Sequence, residues 1–263
     1  MHDLPPSSPT ILVTNDDGIR APGLFALQQA LHRLGHVVVI APDHNWSAAG
    51  HTKTMHRPLV VRPVTLDGGY PAFACDGAPS DCVALAVLGF VKQKVDLVIA
   101  GINRGPNLGD DITYSGTVAA TMEGILADIP SIAISLDDYD SHSPHYETAA
   151  RFAVSLAAEV LRRRLHPTVL LNVNVPNRPP GRVTAVRITR LGKRIYRDIL
   201  EERIDPANGT VYWIGGERPT GLMEDGTDMQ ALADGCISVT PIHLDLTDHR
   251  LIDRLKDWQL AAP

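Results

Sequence analysis

Two adjacent aspartates near the start of the chain offer hard oxygen ligands. Asn15-Asp16-Asp17-Gly18 directly follows the apolar run at residues 11–14, and a turn closed by Gly18 can aim both carboxylates at one point. Mg²⁺ and Mn²⁺ prefer such carboxylate oxygens. Acids and a glycine are also common at an ordinary helix N-terminus, so the tetrapeptide alone leaves both interpretations open.

A polar loop at residues 43–51 carries further hydroxyl, amide and imidazole groups. It contains Ser47, the histidines His44 and His51, and Trp46. A flat aromatic side chain in a polar loop can stack on a base or cap a hydrophobic edge. Taken alone, the segment is typical of an ordinary surface loop.

The segment at residues 101–120 gives the strongest pattern. Glycines and amides, including Asn103 and Asn107, follow a predicted buried strand, and Ser115-Gly116-Thr117 then opens a helix. Helix N-termini present unpaired N–H groups and a positive dipole end, so these three residues can cradle a phosphate. The segment matches neither GxxxxGK[ST] nor GxGxxG, and Ser115 or Thr117 could simply cap the helix.

The elements that must position these motifs alternate between strands and helices, which predicts an α/β fold. We expect a Rossmann-like, mostly parallel sheet with helices on both faces. The predicted strands are residues 11–14, 37–41, 59–62, 72–75, 96–100, 131–136 and 169–173, and the predicted helices are 22–34, 79–90, 117–127 and 146–164. Each of the three motifs follows a strand, so all should meet at the carboxyl edge of the sheet. That convergence indicates metal-assisted phosphate hydrolysis.

The pattern of apolar and charged residues changes near residue 177. Alternating runs at residues 183–189 and 209–213 flank a strongly charged segment and predict a projecting hairpin-like arm, followed by a strand at 237–241 and a helix at 250–260. An isolated two-stranded hairpin is marginal in water, so the arm should pack on a partner subunit. The expected organisation is a flexible tail at 1–9, a core at 10–176 and an oligomerisation arm with its returning strand and helix at 177–263.

Composition excludes several protein classes. The 263 residues include 24 Lys+Arg and 30 Asp+Glu, a net charge of −6 without a basic cluster, which disfavours DNA binding. The longest apolar run, residues 82–91, is too short for a membrane helix. Residues 1–9 lack the pattern of a secretory signal. Three cysteines without a CxxC pair fit a reducing cytoplasm.

Taken together, the motifs resemble those of SurE, the survival protein family of metal-dependent 5′/3′-nucleotidases. The resemblance runs from about residue 10 to residue 251. Its matching segments are Ile11-Leu12-Val13-Thr14-Asn15-Asp16-Asp17-Gly18, Ala21-Pro22-Gly23, Ala41-Pro42-Asp43, Asp76-Gly77, Pro79, Gly101-Ile102-Asn103, Gly105-Pro106-Asn107, Gly109-Asp110-Asp111, Tyr114-Ser115-Gly116-Thr117-Val118-Ala119-Ala120, Asn172-Val173-Asn174-Val175-Pro176, Tyr212-Trp213-Ile214-Gly215-Gly216, Gly226-Thr227-Asp228 and Ser238-Val239-Thr240-Pro241. Trp46 departs from the family, since many members carry a polar or basic residue before the serine.

The resemblance implies a cytoplasmic phosphatase that hydrolyses nucleoside 5′- or 3′-monophosphates with one divalent ion per subunit, Mg²⁺ or Mn²⁺. The implied ligands are Asp16, Asp17, Ser47 and Asn103. Family members form dimers or tetramers that exchange C-terminal elements, so a homodimer or homotetramer through the arm is expected, without membrane or DNA partners.

The working hypothesis assigns catalysis to Asp16, Asp17 and Asn103. The residues expected to hold the substrate phosphate are Asn15, Asn107, Ser115, Gly116 and Thr117. His44 and His51 are candidates for protonating the leaving group. Either a water at the metal or a carboxylate of the aspartate pair could be the nucleophile. Two other functions stay open: a nucleotide-binding regulator without turnover, and a hydrolase of polyphosphate or another ester.

Overall fold

The computed structural model describes residues 8–258 and residue 260. The predicted tail at residues 1–9 therefore lies outside the described residues except for Ser8 and Pro9. Pro9 is buried, and its carbonyl accepts a 2.9 Å hydrogen bond from the N–H of His36.

A nine-stranded, mostly parallel sheet forms the centre of the molecule. The strands of the chain are β1 (Thr10–Thr14), β2 (His36–Pro42), β3 (Val61–Thr65), β4 (Pro71–Cys75), β5 (Leu97–Arg104), β6 (Ser131–Asp137), β7 (Leu170–Pro176), β8 (Val186–Ile188), β9 (Arg194–Asp205), β10 (Gly209–Gly221) and β11 (Ile237–Ile242). The sheet order is β3-β4-β2-β1-β5-β6-β7-β11-β8. Neighbouring strands from β4 to β7 run parallel, whereas β3 and β11 pair antiparallel with β4 and β7. The strand order reverses around β1, the position where ligands bind in open α/β sheets.

Helices cover both faces of the sheet, as the sequence predicts. They are α1 (Pro22–Leu31), α2 (Pro79–Leu85), α3 (Gly116–Leu126), α4 (Tyr146–Arg163), α5 (Asp228–Ala233) and α6 (His249–Lys256). Side chains of β1 alternate between the faces: Ile11 and Val13 belong to the core beneath α1 and α4, and Leu12 to the core beneath α2. Among the described residues, no helix is long and apolar enough to cross a bilayer.

On the parallel side one predicted helix is too long and one predicted turn region begins as a strand. The helix predicted for 22–34 ends at Leu31. The helix predicted for 79–90 is confirmed, because α2 ends at Leu85 and continues as a π-helix over Ala86–Phe90. The segment from residue 101, expected to be turn-rich, instead extends β5 to Arg104. Gly101 makes this extension possible: its φ is +134°, and a Cβ there would lie 2.2 Å from the carbonyl oxygen of Ile134.

The C-terminal arm is confirmed, with different strand bounds. β9 and β10 pair antiparallel in a sheet of their own. The charged segment expected to separate the two arm strands is itself β9, while the run at 183–189 contributes β8 to the edge of the main sheet. Helix α5 was not predicted, and α6 is shorter than the predicted helix at 250–260.

Candidate functional site

The buried end of β1 places Asp16 against the N-terminus of α3. Asp16 is 3% exposed, and its Oδ1 accepts a 2.5 Å hydrogen bond from the Thr117 hydroxyl. Gly116 permits this approach, since a Cβ added there would lie 2.8 Å from the Asp16 Cβ. The positive end of the helix dipole therefore lies beside the carboxylate.

Burial makes both neighbouring carboxylates harder to ionise. Burial raises the pKa of Asp16, although hydrogen bonds from the Thr117 side chain and from the backbone at 116 and 117 act to lower it. Burial, followed by the charge of Asp16, raises the pKa of Asp17 to about 6, although the N–H of Arg104 donates to Asp17 Oδ2 at 3.1 Å.

Neither aspartate forms an ion pair with a lysine or arginine side chain within the described part of the chain. Buried charges in proteins are normally paired or coordinate a metal. Two adjacent carboxylates without a basic partner fit a divalent cation by the chemistry of their oxygens. Groups of three or more His, Cys, Asp or Glu that could hold a metal are absent from the described residues, so a site here needs other oxygen donors.

Asn15 shapes the turn that presents the aspartates. Its Nδ2 donates to the carbonyl of Gly18 at 2.9 Å. Its Oδ1 is buried and finds no hydrogen-bond partner among the residues described. Such an orphaned oxygen beside two carboxylates adds to the oxygen-rich character of the site.

Asn103 lies at the end of β5, after a shift of pairing register between Ala100 and Asn103. Bulges of this kind redirect side chains near active sites. The Asn103 side chain is largely buried, and its Nδ2 donates to the carbonyl of Gly105 at 2.7 Å. Next to it, Arg104 donates from Nε to Asp138 at 3.0 Å, which fixes the end of β5 to the segment after β6.

The loop that carries Ser47 lies next to Asp16. The N–H of Trp46 donates to the Asp16 carbonyl at 2.7 Å, and the N–H of Gly50 donates to the Tyr114 carbonyl at 2.9 Å. Ser47 itself is exposed, and its N–H donates to Asn45 Oδ1 at 2.7 Å. The backbone therefore brings Ser47 close to the aspartates.

The two loop histidines have separate partners. His44 Nδ1 lies 2.5 Å from Asp43 Oδ1, and its ring centroid is 5.2 Å from that of Trp46. His51 Nε2 lies 2.8 Å from Glu123 Oε1. Protonation of a leaving group by either histidine stays a prediction.

Asn107 is held by polar side chains of β6 and β7. Its N–H donates to Asn174 Oδ1 at 2.8 Å, and its Nδ2 donates to the Ser135 hydroxyl at 2.8 Å. Its carbonyl accepts from Asn172 and Asn174, both at 2.9 Å. The sequence motifs assign no role to these partners, although the asparagines inside the apolar run Leu-Asn-Val-Asn-Val are a visible signal.

Ser115 caps α3, because its hydroxyl oxygen accepts a 3.1 Å hydrogen bond from the N–H of Val118. The capping interpretation is thus confirmed, and a role in binding phosphate stays a prediction. The same holds for Gly116 and Thr117, whose hydrogen bonds go to Asp16 in this structure. Two residues to which the sequence motifs assign no role also contact candidate residues: the N–H of Arg104 donates to Asp17, and Glu123 lies against His51.

Comparisons of the family model, curated relatives and a solved structure all match this chain to SurE proteins. The family model described as Survival protein SurE matches residues 11–198. A 5′-nucleotidase SurE from Herpetosiphon aurantiacus is 49% identical over 93% of this chain and 96% of that protein. One from Chloroflexus aggregans is 47% identical over 95% and 98%. The crystal structure of SurE from Aquifex aeolicus, 42% identical, superposes with a TM-score of 0.81 over 94% of this chain and 98% of that one.

Proposed function

The chain belongs to the SurE family, and from this premise we propose that it is a metal-dependent 5′-nucleotidase acting at the Asp16–Asp17 site. Relatives that share nearly half of its residues over almost the whole chain carry the name 5′-nucleotidase SurE. The observation that carries the assignment of the site is the aspartate pair at the switch point of the sheet, with Asp16 buried, Asp17 half-buried and neither in a salt bridge among the described residues.

Asp16, Asp17, Ser47 and Asn103 would hold the divalent ion, Mg²⁺ or Mn²⁺. When bound, the ion supplies the positive charge that polarises the phosphate and lowers the pKa of a coordinated water. Asp16 is the most firmly oriented ligand, because Thr117 and the N-terminus of α3 fix its carboxylate. Asp17 is oriented from β5 by the N–H of Arg104.

The remaining residues of the site would bind the phosphate and exclude water. Ser115 retains a hydroxyl proton to donate, since its oxygen accepts from the N–H of Val118. Asn15 and Asn107 contribute side-chain amides, held in place by the carbonyl of Gly18 and by the hydroxyl of Ser135 in β6. Gly116 and Thr117 add positive potential from the end of α3. These groups compensate for the phosphate charge in a chain whose net charge is −6.

The proposal extends to assembly and location. The arm exposes apolar side chains that a partner subunit would cover: Ile199, Leu200, Ile204, Tyr212, Trp213 and Ile214. A homodimer or homotetramer through the arm would bury them. Three free, buried cysteines support a location in the reducing cytoplasm.

A panel of phosphate esters tests the function. We expect inorganic phosphate to be released from nucleoside 5′-monophosphates in the presence of Mn²⁺ or Mg²⁺ and not in EDTA, and 3′-monophosphates in the panel report the positional preference. Binding of nucleotides without phosphate release would favour a regulator instead. Release from polyphosphate alone, or cleavage of acyl esters, would reassign the substrate class.

A further inference from the structure

Helix α3 contacts the Ser47 loop at a second point, away from Asp16. Glu123, in the C-terminal half of α3, has a side chain that is only 10% exposed. Its Oε1 lies 2.8 Å from His51 Nε2, and its Oε2 accepts a 3.2 Å hydrogen bond from Lys53 Nζ. Both partners belong to the loop, so one carboxylate of the helix binds two loop residues. We call these three side chains the Glu123 clasp.

The loop needs such contacts because residues 43–60 contain no helix or strand. Its course is set by individual hydrogen bonds. On one side, Trp46 is tied to Asp16 and Gly50 to Tyr114. On the other, the N–H and hydroxyl of Thr54 donate to Asp81 of α2 at 2.9 and 2.7 Å. The clasp lies between these two anchors and attaches the intervening stretch to α3.

Glu123 contributes a negative charge to the clasp. The hydrogen bond from His51 keeps the pKa of Glu123 below its usual range, although burial acts in the opposite direction, and Lys53 adds to the lowering. Glu123 is therefore ionised at neutral pH. An ionised carboxylate with little exposure favours the loop conformation in which both basic side chains reach it.

We propose that Glu123 is a positioning residue that acts through His51 and Lys53 to place the Ser47 hydroxyl near Asp16. The inference rests on the proposed function, in which Ser47 is a metal ligand. Thr117 near the start of α3 orients Asp16, and Glu123 farther along the same helix holds the loop. Helix α3 thus sets the relative position of a carboxylate ligand and a hydroxyl ligand from two different loops.

Titration of the metal-free protein with Mn²⁺ measures this role. Loss of an outer contact that orients a metal ligand typically weakens metal binding about 10- to 100-fold. We expect Glu123→Ala to weaken Mn²⁺ binding about tenfold, with His51→Ala acting in the same direction. The matched control is Arg57→Ala, because Arg57 lies in the same loop but pairs with Asp76, which follows β4, rather than with α3. Unchanged Mn²⁺ affinity in Glu123→Ala would overturn the proposal.

A double-mutant cycle with Ser47→Ala separates positioning from general destabilisation. If Glu123 acts through Ser47, then Glu123→Ala has no further effect on Mn²⁺ affinity once the hydroxyl is gone. Additive losses in the cycle would contradict the proposal. Should Glu123→Ala fail to fold, Glu123→Gln, which keeps the shape and removes the charge, serves in the same cycle.

Failure of the clasp and failure of the proposed function give different results. A wild-type protein that neither binds Mn²⁺ nor releases phosphate from nucleoside monophosphates refutes both. A wild-type protein that does both, with a Glu123→Ala variant of equal affinity, refutes the clasp alone.

Discussion

The carboxyl group of Asp17 links the site to the stability of the protein. Burial, and secondly the charge of Asp16, raises its pKa from 3.8 to about 6. Between about pH 4 and pH 6 the folded metal-free protein therefore holds a proton that the unfolded chain has released. Stability must fall as the pH rises through that window, and the loss persists above it.

Asp17→Asn should remove this penalty. We expect the metal-free variant to melt a few degrees above the metal-free wild type at pH 7.5, because about 1 kcal/mol shifts Tm by roughly 2–4 °C in a chain of this size. At pH 4 the two proteins should melt at nearly the same temperature. Thermal denaturation of both across pH 4–8, in EDTA, checks the sign. A wild type that gains stability from pH 4 to pH 6 relative to the variant would contradict the assignment.

Gly116 is predicted to be sensitive to the smallest substitution. In Gly116→Ala the new Cβ would lie 2.8 Å from the Asp16 Cβ, so the aspartate or the helix must move. Activity should fall about 100-fold, as expected when a catalytic group is displaced by about 1 Å. The measurement is kcat/KM for a nucleoside 5′-monophosphate, with Leu126→Ala, an exposed position on the same helix, as control. Near-wild-type activity in Gly116→Ala would show that activity does not require the close packing of Gly116 against Asp16.

At the residue scale the sequence revealed the groups that carry charge but not their partners. The turn with Asp16 and Asp17 and the helix start at Ser115 were predictable from adjacent residues. Glu123 was not, because it matters through a contact with His51, a residue 72 positions away. Such contacts depend on the tertiary fold rather than on local pattern.

At the scale of elements, the base of the arm is fixed to the turn that follows β5. Arg194 of β9 has an 8% exposed side chain and donates from Nε to Asp111 at 2.5 Å. The hydroxyl of Tyr196 donates to the other oxygen of Asp111 at 2.6 Å. Arg194 and Tyr196 therefore attach the arm to the segment that leads into α3.

Arg194→Ala should destabilise the protein by about 2 kcal/mol, the range for lost hydrogen bonds to a charged group with little exposure. Urea denaturation measures the change. Arg203→Ala on the same strand removes an exposed pair with Glu201 and should cost less than about 0.5 kcal/mol. Equal effects of the two substitutions would show that the contact with Asp111 is not a special attachment of the arm.

The elements that sequence patterns predicted best are those with a buried face. The strands and helices of the parallel sheet have strong apolar periodicity, and their existence was predicted correctly. β9 was missed because both of its faces are largely exposed, so charged residues interrupt its alternation. The extension of β5 was missed because its glycine indicates a turn in sequence, whereas the fold uses the positive φ to continue the strand.

For the whole molecule, the arm predicts self-association. Ile214 is 79% exposed on a strand that pairs only with β9 among the described residues. Sedimentation equilibrium should give a multiple of the chain mass for the wild type and a smaller assembly for Ile214→Asp. Leu88→Asp, at a position 83% exposed outside the arm, is the control and should leave the mass unchanged. A wild type that sediments as a single chain would refute assembly through the arm.

The overall charge of −6 gives the molecule no general attraction for an anionic substrate. In the proposed function the attraction is local and comes from a divalent ion at Asp16 and Asp17 together with the N-terminus of α3. The metal-free protein should accordingly bind nucleotides poorly.

Phosphate release from adenosine 5′-monophosphate, measured while Mn²⁺ is added back to chelator-treated protein, tests this central claim most directly. The wild type should regain activity as the ion is restored, and Asp16→Asn should stay inactive with an unchanged circular dichroism spectrum. Activity of the wild type in the presence of chelator, or recovery of Asp16→Asn to the wild-type rate, would contradict the assignment of the site.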